Sequence, residues 1–105
     1  MNIVNFSTLP LMETENIEPT VAQEDETGEV LVKELAKEYL TKGAWATIAF
    51  LYQEKDKNGN FGEAKVSLRR FQKIAGAYKQ RSKFNVSSKA QAEQIIEVFK
   101  KWYEL

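Results

Sequence analysis

At Ser87 and Ser88 the apolar residues of this chain change period. Between Ala44 and Val86 they alternate, or gather into β-branched and aromatic runs. Beyond Ser88, Ala92, Ile95, Ile96, Phe99, Trp102 and Tyr103 recur at intervals of three and four. A period of two places alternate side chains on one face of a strand, and a period near 3.6 makes a stripe along a helix. The chain must therefore build strands first and close them with a C-terminal amphipathic helix. Ser88, with Gln91 three positions later, is a capping-box pattern that sets the helix start and predicts a helix over 89–103.

The strands are punctuated by turn residues. AWATIAFLYQEK, from Ala44, is followed by the polar run Asp56-Lys57-Asn58-Gly59-Asn60, whose Asn-Gly step is a hairpin signal. GEAKVSLRRFQKI then alternates, with Ala64, Val66 and Leu68 on one face and Lys65, Ser67, Arg69, Phe71 and Lys73 on the other. Ala75-Gly76-Ala77 marks a second turn. In YKQRSKFNVS, alternation groups Tyr78, Phe84 and Val86 against Lys79, Arg81, Lys83 and Asn85. Residues 29–42, EVLVKELAKEYLTK, fit two readings: Leu31, Leu35 and Tyr39 have helical spacing with Gly43 as a cap, whereas EVLVKEL suits a strand. The expected class is α+β, with three to four antiparallel strands burying one face under the helix and leaving the other solvated.

Length and composition narrow the function. At 105 residues the chain suits one domain, and no apolar run approaches the ~20 residues of a membrane-spanning helix. Without Cys there is no disulfide framework or thiolate metal site, and without His no imidazole–carboxylate triad or imidazole ligand. No basic-then-apolar secretory signal is visible at the N-terminus. A cytoplasmic, non-enzymatic domain is expected, without cofactor, metal, membrane or small-molecule substrate. Asp56, Asn58 and Asn60 resemble the start of a calcium loop, but the Gly spacing is wrong and the bidentate acid at the twelfth position is missing.

The formal net charge of zero averages two unlike parts. Residues 1–28 carry six acids (Glu13, Glu15, Glu18, Glu24, Asp25 and Glu26) and no Lys or Arg. Residues 29–105 carry fifteen bases against nine acids. The first part reads as an acidic disordered tail, either a solvated leader or an arm that competes with a polyanion for the basic part. The second reads as a nucleic-acid-binding domain. Its 29 residues between Glu63 and Glu93 hold no acid and eight bases. Ordinary surfaces mix the two signs, because like charges repel across strands. Alternation assigns Lys65, Arg69, Lys73, Lys79, Arg81 and Lys83 to the face away from the apolar residues, together with Asn85 and the aromatic Phe71. Trp45 and Tyr52 are further aromatic candidates. Cations that neutralise phosphates beside rings that stack on unpaired bases suit single-stranded nucleic acid. The plainer alternative is a solubilising face whose aromatics all turn inward.

The stretch KVSLRRFQKIAGAYKQRSKFNVSSKAQAEQIIEVFKKW resembles the positive cofactor four family of single-stranded DNA-binding domains. It looks closest to the short bacterial and phage members and more distantly like the plant Whirly proteins. The family's Lys-Gly-Ile-Ser-Leu strand end is matched by Lys83-Phe84-Asn85-Val86-Ser87-Ser88, and its Ile-Arg-Glu-Tyr strand by Leu68-Arg69-Arg70-Phe71. Its basic loop corresponds to Gly76 through Arg81. Phe84 stands where the family has Gly, Gln72 where it has Trp, and Arg70 where it has Glu.

The resemblance covers residues 44–103 and implies a curved antiparallel sheet followed by one long helix. It implies a homodimer that binds single-stranded DNA across two sheets, in transcription, replication or recombination, in a nucleoid-associated or phage-encoded setting. Arg69, Lys79 and Lys83 would contact the nucleic-acid backbone, with Phe71 as an aromatic at the strand end. Apart from the resemblance, the apolar stripe through Ile95, Phe99 and Trp102 suits helix-mediated dimerisation, with packing of the surplus at Trp102 and Tyr103 within one subunit as the simpler account. An RNA-binding protein, or an interaction module whose basic face docks an acidic partner, are the competing expectations.

Overall fold

The computed structural model describes residues 18–105. Their elements, in chain order, are β1 (Gln23–Glu24), β2 (Val30–Thr41), β3 (Trp45–Glu54), β4 (Lys65–Ile74), β5 (Ala77–Val86) and α1 (Lys89–Tyr103). All five strands form one antiparallel sheet in the order β1-β2-β3-β4-β5, so each strand pairs with its neighbour in sequence. The class is α+β, a curled sheet followed by a single C-terminal helix, with five strands rather than three to four. Residues 29–42, open between helix and strand in the sequence, lie almost wholly in β2. Its helical spacing is broken into strand register by two irregularities, between Glu34 and Ala36 and between Tyr39 and Thr41.

The central strand decides where the core sits. β3 is apolar at both parities: Ala46, Ile48, Phe50 and Tyr52 alternate with Trp45, Ala49 and Leu51. The first set is almost fully buried and joins Val21 and Phe71 in the core cluster, with Val32, Tyr39 and Tyr78 packed against it. This side of the sheet is the core face. Residues paired across strands share a face, so Ser67, Arg69 and Phe71, opposite Phe50, Ile48 and Ala46, also belong to it. The second set lies on the helix face, where Leu68, Phe84 and Val86 line a groove with Ala92, Ile95, Ile96 and Phe99 of α1.

Part of the acidic leader belongs to this body. Val21 is only 4% exposed, Gln23 pairs with Val32, and Glu24 with Val30. The Thr20 hydroxyl and the Val21 amide both donate to Glu34 Oε1, at 2.5 and 3.3 Å, and Lys37 Nζ donates to the Pro19 carbonyl at 2.6 Å. Residues 18–28 are therefore a strap and an edge strand rather than a tail, and a chain cut at Glu29 would lose a core residue. The rest of the expected tail, residues 1–17, lies outside the described residues.

The turns follow their chemistry. Between β3 and β4 the Asp56 carboxylate accepts from the amides of Asn58 and Asn60, at 2.8 and 2.9 Å, and Gly59 takes a positive φ of 87°. These bonds make the calcium-like run a self-satisfied turn. Ser88 caps α1 by accepting from the Gln91 amide at 3.1 Å. The Gln91 side chain reaches back to the Ser87 amide at 2.7 Å, one residue earlier than in the usual capping box.

The β4–β5 turn is strained. Ile74 pairs with Ala77 around a two-residue loop in which Ala75 (φ 53°) and Gly76 (φ 84°) are both left-handed, the type I′ arrangement. Asn fits the first of these positions, whereas a Cβ there without a local polar partner costs ~1–2 kcal/mol. Ala75→Asn is expected to raise the stability to urea unfolding by about 0.5–1 kcal/mol with an unchanged m-value.

Candidate nucleic-acid interface

The acid-free stretch folds into the β4–β5 hairpin, with β5 as the outer edge of the sheet. On its core face Arg69 stands directly opposite Lys83. Two like charges in cross-strand register oppose folding, and no acid of the hairpin separates them. The Arg69 guanidinium is held instead by neutral acceptors. Its Nε donates to Ser67 Oγ at 3.0 Å and its Nη1 to Gln80 Oε1 at 3.1 Å, while the Ser67 hydroxyl donates to Asn85 Oδ1 at 2.6 Å. Ser67 is fully buried, and this network satisfies its hydroxyl while fixing the direction of Arg69. Arg69 makes no ion pair with any described residue, and Lys83 beside it is exposed.

The expected six-base face divides in three. Arg69, Lys73 and Lys83 share the core face as alternation predicted. Lys65 shares it too, but its ammonium is paired with Glu54 at 2.9 Å, and that carboxylate holds the Lys65 pKa above the ordinary value. Lys79 and Arg81 are on the opposite side. A bulge between Arg70 and Phe71 pairs Arg70 with Ser82 and Phe71 with Gln80, leaving Arg81 between the pairs. The bulge shifts parity by one, so Lys79 pairs with Gln72 on the helix face. Arg81 Nε donates to Gln72 Oε1 at 3.0 Å on that same side. Asn85 stays on the core face as expected, as the acceptor for Ser67.

Phe71 is not a stacking platform. Its ring is 7% exposed and sits edge-on to Phe50 and Tyr78, at 6.4 Å from each. Parity placed it with the bases correctly, but the core face at that point is interior because β3 is apolar there too. Tyr52 is likewise buried. Of the aromatic candidates, Trp45 is the one exposed, at 40%, on the helix face beneath the guanidinium of Arg70. Sequence reasoning gave Arg70 no part in the basic face. The register between AWATIAF and VSLRRFQ would have placed it beside Trp45.

The helix leaves most of its stripe uncovered. No residue of α1 is fully buried; Ile95 is half-buried, and Phe99, Trp102 and Tyr103 are 50%, 72% and 74% exposed. The groove between α1 and the sheet holds about 530 Å³ and is almost entirely apolar. The radius of gyration is 16.9 Å, against about 13 Å for a compact 100-residue domain. Among the described residues no three acids are grouped as a metal site, and no helix is long and apolar enough to cross a membrane. No family model matches the chain, and neither does any curated protein or solved structure.

At the other side of the core face the strap brings an acid to the sheet. The Tyr39 hydroxyl donates to Glu18 and does most to hold that carboxyl below its ordinary pKa. Slight burial opposes the shift, and the charges of Lys42, Lys37 and Lys73 add to it. Burial, and after it the Glu18 carboxylate, push the Tyr39 phenol up from 10.0 to about 12. The folded chain thus retains a proton that the unfolded chain loses between pH 10.0 and about 12. The stabilisation is complete below that window and is lost as pH rises through it. Denaturant melts on either side are expected to show wild-type stability falling more steeply with pH than that of Tyr39→Phe.

Proposed function

We propose that this chain is a non-catalytic module that binds single-stranded DNA without sequence preference, working as a homodimer. The observation that carries the reading is the opposed pair Arg69 and Lys83 in an acid-free hairpin at the sheet edge. Holding two cations in register costs stability, and a phosphate between them turns that repulsion into attraction. Lys73 extends the core-face row along β4. The resemblance to the positive cofactor four family supports the same ligand, and transcription, replication or recombination are the processes such a module serves. The lysines of β5 also keep an open sheet edge from pairing with other strands.

The homodimer rests on the helix. A 15-residue helix is marginal alone in water, and α1 touches little beyond β5. Each large apolar side chain left exposed forgoes about 1.5–3 kcal/mol of burial. Phe99, Trp102 and Ile96, beside the groove over Leu68 and Phe84, are exposed apolar side chains that a second copy would cover.

Two outcomes follow. Arg69→Ala and Lys83→Ala are each expected to weaken binding to a single-stranded oligonucleotide. Each should also flatten the fall of log affinity with log salt by about 0.7, the value for one lost phosphate contact. Unchanged affinity and slope in both variants would remove this face from the mechanism, and preferential binding of an RNA oligonucleotide would replace DNA as the ligand. Light scattering at micromolar concentration is expected to give about twice the 12.1 kDa of one chain. Phe99→Asp should lower that mass or unfold the protein, since a buried unpaired carboxylate costs several kcal/mol.

A further inference from the structure

A second cationic cluster lies on the helix face of the hairpin, away from Arg69 and Lys83. Trp45, Gln72 and Lys79 form one cross-strand row over β3, β4 and β5; Thr47, Arg70 and Ser82 form the next. The Arg70 guanidinium sits 4.4 Å from the Trp45 ring centroid, and Arg81 is fastened to Gln72 at 3.0 Å. Arg70, Lys79 and Arg81 are all exposed and make no ion pair with any described residue. Within the sheet, the register places Glu38 of β2 as the nearest acid of this face, two rows from Trp45. The patch therefore sets one exposed indole among three uncompensated cations.

We infer that this patch is a base-stacking subsite for single-stranded nucleic acid: Trp45 takes an unpaired base, and Arg70, Lys79 and Arg81 take the flanking phosphates. The inference rests on the single-strand-binding reading above and gives it the aromatic platform that Phe71, being buried, cannot supply. The Arg70 guanidinium lies over the Trp45 indole at a strand end, so a base extends or enters an existing cation–ring stack, and the guanidinium retains edge donors for a phosphate. Stacking accepts any base, because every base has a π-face, which suits a site without sequence readout. Duplex DNA hides those faces, so the subsite discriminates by strandedness.

The test measures binding of a labelled deoxythymidine oligomer of about 16 nucleotides by the full chain, across a salt series, for wild type and three variants. Trp45→Ala is expected to weaken binding about tenfold with an unchanged salt slope, because it removes a ring and no charge. Trp45→Phe, which keeps a ring, should recover most of the loss. Arg70→Gln should weaken binding and reduce the slope by about 0.7. Light scattering on each variant should match wild type. If the wild type does not bind the oligomer, the single-strand reading fails and the subsite with it. If the wild type binds and Trp45→Ala binds equally well, the subsite alone is overturned. The subsite also falls if Trp45→Phe is as weak as Trp45→Ala, if the loss accompanies a changed assembly state, or if a duplex of the same length binds as tightly and with the same dependence on Trp45.

Discussion

A central strand that is apolar on both of its faces governs this fold. β3 places Ala46, Ile48, Phe50 and Tyr52 on one side and Trp45, Ala49 and Leu51 on the other, so a single sheet cannot solvate either side of it. Each face needs its own cover, and the chain supplies two of different quality. On the core face the sheet curls and Val21 of the strap packs into the cluster, leaving Ile48 and Phe50 almost without exposure. On the helix face α1 lies near β5, and its own stripe remains half in water. The asymmetry assigns the molecule's two needs to different surfaces. One face is finished by residues of the strap; on the other the described residues leave apolar area uncovered.

The charge follows from the same architecture. Acids are placed where they neutralise: Glu54 with Lys65, Glu29 with Lys55, and Glu18 among Lys37, Lys42 and Lys73. The two ion pairs join the residue before β2 to the residue after β3, and the last residue of β3 to the first of β4; Lys73, near the end of β4, feels the Glu18 charge without an ion pair. Beyond Lys65 the hairpin has no acid to offer, and its polar needs are met by Ser67, Gln72, Gln80 and Asn85. Neutral acceptors orient a guanidinium without cancelling its charge, whereas a carboxylate would do both. The geometry of Arg69 and Arg81 is thus fixed while their electrostatic demand stays open.

The periodicity legible in the sequence placed α1 at 89–103, its Ser88 cap, the β3–β4 and β4–β5 turns, and the opposite faces of Val66 and Leu68 against Lys65, Ser67, Arg69, Phe71 and Lys73 on β4, because these depend on neighbours in sequence. What local pattern could not supply was of two kinds. The strand character of residues 29–42 and the inclusion of Val21 depend on pairing partners far along the chain, and the register of β2 shifts at two irregularities that no local pattern marks. The burial of Phe71 was inferable in principle. The dual-sided apolarity of AWATIAFLY marks a strand covered on both faces, and a base-bearing face paired to it cannot be solvated along its whole length.

The faces of β5 were the harder matter, because one residue decides them. A bulge inserts Arg81 between the Ser82 and Gln80 pairs and inverts the parity of everything before it in the strand. Tyr78 and Gln80 thereby face the core, where Tyr78 packs edge-on to Phe71 and sends its hydroxyl to the Gly43 carbonyl at 3.1 Å. Without the bulge, Lys79 and Arg81 would stand on the core face in place of Tyr78 and Gln80, and the edge-on contact of Tyr78 with Phe71 would be lost. The irregularity thus lets a Lys-rich edge strand pair along its whole length with a strand half of whose face is core. Its consequence is electrostatic: cations project from both sides of the edge hairpin, Arg69 of β4 and Lys83 of β5 on one and Arg70 of β4 with Lys79 and Arg81 of β5 on the other. A polyanion following the edge of β5 meets positive charge whichever face it crosses.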